Sequence, residues 1–269
     1  WTFACGVILI ACSAGIYQAY LPFALGITWL YYTKTIRETK TDDWNTGKFL
    51  QKALYLCLAW GIALMLYFML TQVFLNLKGI QLTDYRGIDT MGREGISVYL
   101  NRVLYAYREF VQPFFSEKSA GHVMYPLRSG YFYLLVLFVI GTGSIYECWN
   151  YIRSGIWIKG LFLLGLVLLL PLVSNFIYVM CAPDAVYSLM LYGQVIPLLY
   201  AVKLLDYSQE NDSSDAKQDN AKHKQMTYAA TVFLYLFPIF FIRYDNAAYM
   251  KAAFYQQQAA NWFTTLITR

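Results

Sequence analysis

The residues best suited to chemistry are polar side chains that lie between long apolar runs. Asp84 and Asp89 flank Tyr85 and Arg86 in one short segment. Carboxylates serve as general bases, and arginine binds phosphate through parallel donors. Polar groups close to membrane depth are costly, so they are candidates for function. An open alternative is that the charged residues are ordinary solvated loop residues and the tyrosines interfacial aromatics. The further candidates of this kind are Tyr17, Gln18, Tyr20, Arg128 and Asp184.

Motifs of soluble enzymes are absent from the sequence. It contains no H-E-x-x-H, P-loop, G-x-S-x-G or D-x-D pattern, and His122 and His223 lie in different loops. The five cysteines form no C-x-x-C pair and are interpreted as small apolar residues. We therefore expect no metal site. The net charge of +5 is spread without a Lys/Arg block, so we expect no nucleic-acid partner.

The elements that must position these residues are helices in a membrane. Of 269 residues, 58% are hydrophobic and 14% charged, and the mean hydropathy is +0.40. Crossing a bilayer takes about 20 predominantly apolar residues. Continuous apolar runs exclude a transmembrane β-barrel, and this composition fits neither a soluble enzyme nor a disordered regulator. The sequence predicts an all-α, polytopic integral membrane protein. Its charge-free runs are 1–33, 53–77, 129–146, 160–183, 185–202 and 225–242.

The pattern predicts about seven membrane segments within a transmembrane domain at 1–243. Gly15 and Pro22 divide the first run into a helical hairpin. The predicted segments are 1–15, 20–35, 53–77, 130–147, 156–180, 186–204 and 226–243. Trp1 opens directly into an apolar run without a basic leader, so we expect the chain to be entered partway through this domain.

Three regions outside the predicted spans differ in character. The outer loop 78–129 contains an amphipathic helix at about 95–115, expected to lie in the membrane interface. The alternative is a soluble amphipathic helix packed on an outer domain. Residues 207–225 are almost purely polar and predict a disordered cytoplasmic linker, and 244–269 predict an extracytoplasmic amphipathic tail. The basic segment from Lys34 to Lys52 is expected to be cytoplasmic, because positive residues favour that side.

One short motif carries a family resemblance. Gly15-Ile16-Tyr17-Gln18-Ala19-Tyr20, preceded by small residues, resembles a signature of the bacterial serotype-converting glucosyltransferases of the Gtr type II class. The segment Gly79–Asp89 is similar to that family's outer loop. The segment Asp245–Lys251 is similar to the stretch after its last span.

The resemblance implies a GT-C-like fold in the bacterial cytoplasmic (inner) membrane. It implies transfer of a sugar, typically glucose, from a polyprenyl-phosphate donor to a cell-surface glycan, either O-antigen or another wall polysaccharide, on the extracytoplasmic side. The implied partners are membrane lipid, the lipid-linked donor and the glycan acceptor, with no cofactor. The alternative is a non-catalytic transporter or flippase of lipid-linked sugars.

The resemblance also implies roles for individual residues. By the family layout the main catalytic carboxylate precedes Trp1, so Asp84 and Asp89 are accessory catalytic candidates. Arg86 and Arg128 are candidates for the donor phosphate. The remaining substrate-binding candidates are Tyr17, Gln18, Tyr20, Tyr85 and Asp184.

Overall fold

The computed structural model describes residues 2–16, 20–40, 43–79, 94–112, 129–186, 190–212, 228, 231–232 and 249–267. These residues are helical apart from short connections, and no strand occurs among them. The all-α prediction is therefore confirmed. The helices are α1 Thr2–Ile16, α2 Tyr20–Glu38, α3 Thr46–Lys78, α4 Ile96–Val111, α5 Ser129–Arg153, α6 Trp157–Ser174, α7 Ile177–Met180 and α8 Val195–Asp212, and a further helix covers 249–267.

Three helical stretches in the described part of the chain are long and apolar enough to cross a membrane. They are Thr46–Lys78, Tyr133–Arg153 and Trp157–Ser174, and shorter apolar helices cover Phe3–Ile16 and Tyr192–Leu205. The prediction of a helical membrane protein is confirmed by these helices. The count of seven segments stays a prediction, because most of 226–243 lies outside the described residues.

The predicted hairpin is present as α1 and α2, which pack against each other. Pro22 lies in the first turn of α2, where its missing N–H would have no helical partner in any case. Next along the chain, α3 begins at Thr46, seven residues before the predicted start. The Asn45 side chain explains this early start, because it accepts a hydrogen bond from the Lys48 backbone N–H at 3.1 Å and caps the helix.

Two predicted segments differ from the structure. The segment predicted at 156–180 is not one helix, because α6 ends at Ser174 and α7 follows a turn at Asn175 and Phe176. Pro171 cannot donate to the helical ladder, which weakens the last turn of α6. The segment predicted at 186–204 becomes helical only in its second half. The 3-10 turns Pro183–Ala185 and Tyr192–Gln194 precede α8. At its other end α8 continues to Asp212, within the predicted linker 207–225.

The helix predicted at 95–115 is α4, and two of its charged residues face the protein. Arg102 and Glu109 are buried, whereas Ile96, Leu100 and Leu104 are 81%, 62% and 69% exposed. A helix whose outer side meets lipid is expected to bury charged groups against the protein and to expose apolar ones. This favours the membrane-interface interpretation over a soluble helix that buries its apolar face.

The bundle has two ends with different polar contents. The Tyr20 end holds the start of α2, the start of α5, the end of α6 and the turn Tyr192–Gln194. The Arg37 end holds the end of α2, the last turns of α5 and the start of α6. Between them, Trp29 donates from Nε1 to the Leu166 carbonyl oxygen at 3.0 Å and packs edge-on against Tyr200. These contacts fix α2 against α6 and α8.

Candidate functional site

Two of the nine predicted site residues lie in the described part of the chain. They are Tyr20, the first residue of α2, and Asp184, in the 3-10 turn Pro183–Ala185. Asp184 is exposed and forms no ion pair with a described residue. The other candidates lie outside the described residues and stay predictions: Tyr17, Gln18, Asp84, Tyr85, Arg86, Asp89 and Arg128.

Tyr20 forms an aromatic pair that the sequence did not predict. Its ring centre lies 5.6 Å from that of Tyr192, with the planes inclined at 42°. Both residues remain accessible, at 42% and 41% exposure. Aromatic faces bind the apolar faces of sugar rings, so this pair is a candidate sugar platform. Sequence spacing could not reveal it, because the two tyrosines are 172 positions apart.

Gly193 allows the turn that carries Tyr192 to pack closely against the neighbouring helices. A Cβ atom at this position would lie 2.2 Å from the Ser174 carbonyl oxygen and 3.0 Å from the Pro22 Cβ. Only glycine therefore lets the turn Tyr192–Gln194 approach the end of α6 and the start of α2 this closely. The neighbouring Gln194 accepts a hydrogen bond at Oε1 from the Tyr133 hydroxyl at 2.9 Å, which ties the turn to α5.

The inner side of α4 contributes charged groups beside this end of the bundle. Arg102 forms an ion pair with Glu94, whose side chain is 26% exposed, and Glu109 is almost completely buried. Asn175 donates from Nδ2 to the Ala106 carbonyl oxygen at 3.0 Å, so the break between α6 and α7 is used to anchor α4.

Cys181, which directly follows α7, is also buried. Burial raises the pKa of its thiol to about 11, and the Arg102 guanidinium partly opposes this rise. A buried thiol that stays protonated is chemically inert at neutral pH. Cys181 therefore fits the predicted role of a small packing residue.

A groove opens between α1 and the second half of α3. Its volume is about 540 Å³. The lining is mainly apolar, and Lys78, the last residue of α3, lies at one end of it. The lining residues are Ala11, Cys12 and Gly15 of α1 and Tyr67, Leu70, Thr71, Phe74, Leu75 and Lys78 of α3.

A buried polar cluster occupies the Arg37 end, and the sequence analysis did not identify it. Arg37 Nε lies 3.0 Å from Glu147 Oε2, and the same guanidinium donates to the Tyr200 hydroxyl. Lys159 donates to the carbonyl oxygens of Thr39, at 2.7 Å, and of Arg37, at 3.3 Å. It thereby binds the last carbonyls of α2, where a cation is favoured. The sequence feature that could have indicated this cluster is the presence of opposite charges at the ends of successive apolar runs.

The Arg37 cluster has the properties of a structural contact between helices. Its three charged residues are 3%, 9% and 2% exposed and join α2, α5 and α6. Among the described residues, no group of three His, Cys, Asp or Glu side chains could hold a metal ion. The accessible aromatic pair makes the Tyr20 end the candidate site for chemistry.

These features define a helical membrane protein with an aromatic pair at one end and a mainly apolar groove along its side. The chain belongs to the family described as Glucosyl transferase GtrII, whose model matches residues 1–198. The resemblance carried by the segment from Gly15 to Tyr20 is thus confirmed, and the family supports a glucosyltransferase role. No curated protein and no solved structure matches the chain.

Proposed function

We propose that the protein transfers glucose from a polyprenyl-phosphate donor to a cell-surface glycan, outside the bacterial cytoplasmic membrane. The observation that carries this proposal is the GtrII match over residues 1–198. The matched range includes every residue that builds the Tyr20 end, from α1 to Gln194. O-antigen or another wall polysaccharide is the acceptor class that the Gtr resemblance implies.

The distribution of basic residues supports an orientation with the Tyr20 end outside. Lys34 and Arg37 lie near the end of α2, and Lys40, Lys48 and Lys52 follow in the connection to α3 and its first turns. Lys/Arg near the ends of membrane helices favour the cytoplasmic side. The Arg37 end is then cytoplasmic, and a multi-pass chain presents the Tyr20 end to the glycan.

The proposed reaction exchanges one bond at the anomeric carbon of glucose. The bond to the donor phosphate oxygen breaks, a bond to the acceptor hydroxyl oxygen forms, and polyprenyl phosphate leaves. The hydroxyl proton passes to a carboxylate, and Asp84 and Asp89 are the accessory candidates that this chain offers for the step. Arg86 and Arg128 are the candidates that neutralise the charge developing on the phosphate.

The Tyr20–Tyr192 pair would hold the sugar for this exchange. Its two accessible rings offer apolar faces to glucose. The other candidates are close in the sequence to helix ends at this end of the bundle. Tyr17 and Gln18 lie in the sequence between α1 and α2, the segment from Asp84 to Asp89 follows α3, and Arg128 directly precedes α5. Fixing a reactant in this way lowers the barrier by restricting its motion before reaction.

A donor-exchange experiment tests this proposal. Membranes that contain the full-length protein would receive an acceptor glycan and labelled glucose, supplied either as polyprenyl-phosphate glucose or as a nucleotide-linked sugar. We expect label in the glycan with the lipid-linked donor only. Transfer from the nucleotide sugar in membranes depleted of polyprenyl phosphate would contradict the proposal. Translocation of the labelled lipid-linked sugar without transfer to the glycan would also contradict it.

A further inference from the structure

We infer that the groove between α1 and α3 binds the polyprenyl chain of a lipid phosphate, with the Lys78 ammonium on the phosphate. The identity of the lipid rests on the proposed function, whereas the location of the site rests on the groove itself. The groove volume of about 540 Å³ falls within the roughly 300–1,000 Å³ typical of ligand sites.

The shape of the groove follows from a difference in side-chain size. On one side α1 presents Ala11, Cys12 and Gly15, and on the other α3 presents large residues such as Leu70 and Phe74. Small residues along one helix leave a trough where a larger residue would fill the space. From Tyr67 to Lys78 the lining extends about 16 Å along α3, at about 1.5 Å per residue. An extended hydrocarbon chain matches this elongated form.

The lining is mainly hydrocarbon, and Lys78 supplies its one charged side chain. Thr71 is a polar lining residue, but its hydroxyl donates to the Tyr67 carbonyl oxygen within α3 at 2.8 Å. Leu70 and Phe74 are 47% and 63% exposed, so the groove opens sideways to whatever surrounds α3. In a membrane protein, that surrounding medium is lipid. A hydrocarbon ligand can therefore enter from the bilayer without crossing water.

Lys78 supplies the complementary charge at one end only. It is the last residue of α3, it is exposed, and it forms no ion pair with a described residue. A lysine at the end of a membrane helix extends its ammonium toward the interface, where lipid phosphates lie. A ligand with a long apolar chain and one terminal phosphate fits this distribution of charge.

The rim of the groove is also next to the candidate site in the sequence. Gly15 precedes Tyr17 by two residues, and Lys78 precedes Asp84 by six. A phosphate held at Lys78 would therefore lie close in the sequence to the residues that the proposed reaction uses. This adjacency favours a lipid phosphate that is the sugar carrier over a structural phospholipid.

Glycine positions in α1 provide a matched pair of variants. Gly15 lines the groove, and a Cβ there would meet no heavy atom within 4 Å, so Gly15→Leu adds bulk at the groove without a backbone clash at the Cβ. Gly6 is equally unobstructed, lies in the same helix, and does not line the groove. Gly6→Leu therefore controls for the effect of leucine on α1 itself.

Photo-crosslinking with the full-length protein in nanodiscs tests the inference. The probe is a polyprenyl phosphate with a diazirine on an isoprene unit, and adducts are mapped by peptide mass spectrometry. We expect adducts on the lining segments of α1 and α3, competed by unlabelled polyprenyl phosphate. Gly15→Leu and Lys78→Gln should each reduce them about tenfold, the change expected for losing about 1.4 kcal/mol. Gly6→Leu should leave them unchanged.

Several outcomes would overturn the inference. They are adducts confined to other helices, equal competition by phosphatidylglycerol, equal competition by uncharged polyprenol, or no loss of adducts in Gly15→Leu. Glucose transfer measured on the same samples separates the two proposals. Transfer without groove adducts refutes the groove alone, and groove adducts without transfer refute the transferase proposal alone.

Discussion

Replacing Gly193 by alanine is predicted to disable sugar transfer by displacing the aromatic pair. The new Cβ would lie 2.2 Å from the Ser174 carbonyl oxygen, about 1.2 Å short of the 3.4 Å at which ordinary contact begins. The obstacle is backbone, so rotating a side chain cannot relieve it. The turn Tyr192–Gln194 must move by about an ångström, which carries the Tyr192 ring away from Tyr20.

The size of the effect follows from this displacement. Overpacking of a well-packed site costs about 1–3 kcal/mol, and losing the hydrogen bond from Tyr133 to Gln194 adds about 1 kcal/mol. A misplacement of about 1 Å in a reacting group costs about a hundredfold in rate. We therefore expect Gly193→Ala to lower the melting temperature by several degrees and the transfer rate by about two orders of magnitude.

The assay compares Gly193→Ala with Gly165→Ala in purified full-length protein. A Cβ at Gly165, inside α6, would meet no heavy atom within 4 Å, and alanine favours helix by about 1 kcal/mol. Gly165→Ala should therefore keep both transfer and melting temperature at or above the parent values. Parent-like transfer and melting temperature in Gly193→Ala would refute the packing of this turn.

Three further predictions concern both ends of the bundle. Tyr192→Ala should raise the KM for donor sugar several-fold, and Tyr192→Phe should not, because the ring rather than the hydroxyl makes the platform; equal effects of the two variants in steady-state kinetics would contradict this. Arg37→Ala should destabilise the protein by about 3–5 kcal/mol by leaving Glu147 buried and unpaired. The double variant Arg37→Met/Glu147→Leu should lose less in thermal unfolding, and a larger loss would refute that cause. Cys181 should resist maleimide in the native protein, because its raised pKa leaves about one thiolate in a thousand at pH 8, and it should react once the protein is unfolded. Rapid labelling of the native protein at pH 8 would contradict the burial of this thiol.

The apolar runs were sufficient to predict the helices but not where they break. Composition and charge-free length locate α1, α2, α3 and α5 because lipid requires continuous apolar helix. The same reasoning failed at Asn175 and Gly193, which lie in or beside apolar runs although the chain turns there. Pro171 weakens α6 before the first turn by a local backbone effect, whereas Gly193 allows a close backbone approach that depends on tertiary packing.

Pairing between distant residues limited the prediction of the site. The motif from Gly15 to Tyr20, together with the similar segments Gly79–Asp89 and Asp245–Lys251, indicated the family, and the motif contains one member of the aromatic pair. Tyr192 and the Arg37–Glu147 ion pair depend on which helices become neighbours, and a single sequence does not record that. The orientation of α4 shows the same limit, because an amphipathic pattern identifies two faces without stating which one the protein covers.

The side on which transfer occurs tests the central claim most directly. Right-side-out and inverted membrane vesicles that contain the full-length protein and polyprenyl-phosphate glucose would each receive an acceptor glycan that cannot cross the membrane. The account predicts glucosylation in right-side-out vesicles and none in intact inverted ones until detergent opens them. Glucosylation in intact inverted vesicles alone would place the reaction at the Arg37 end and contradict the account.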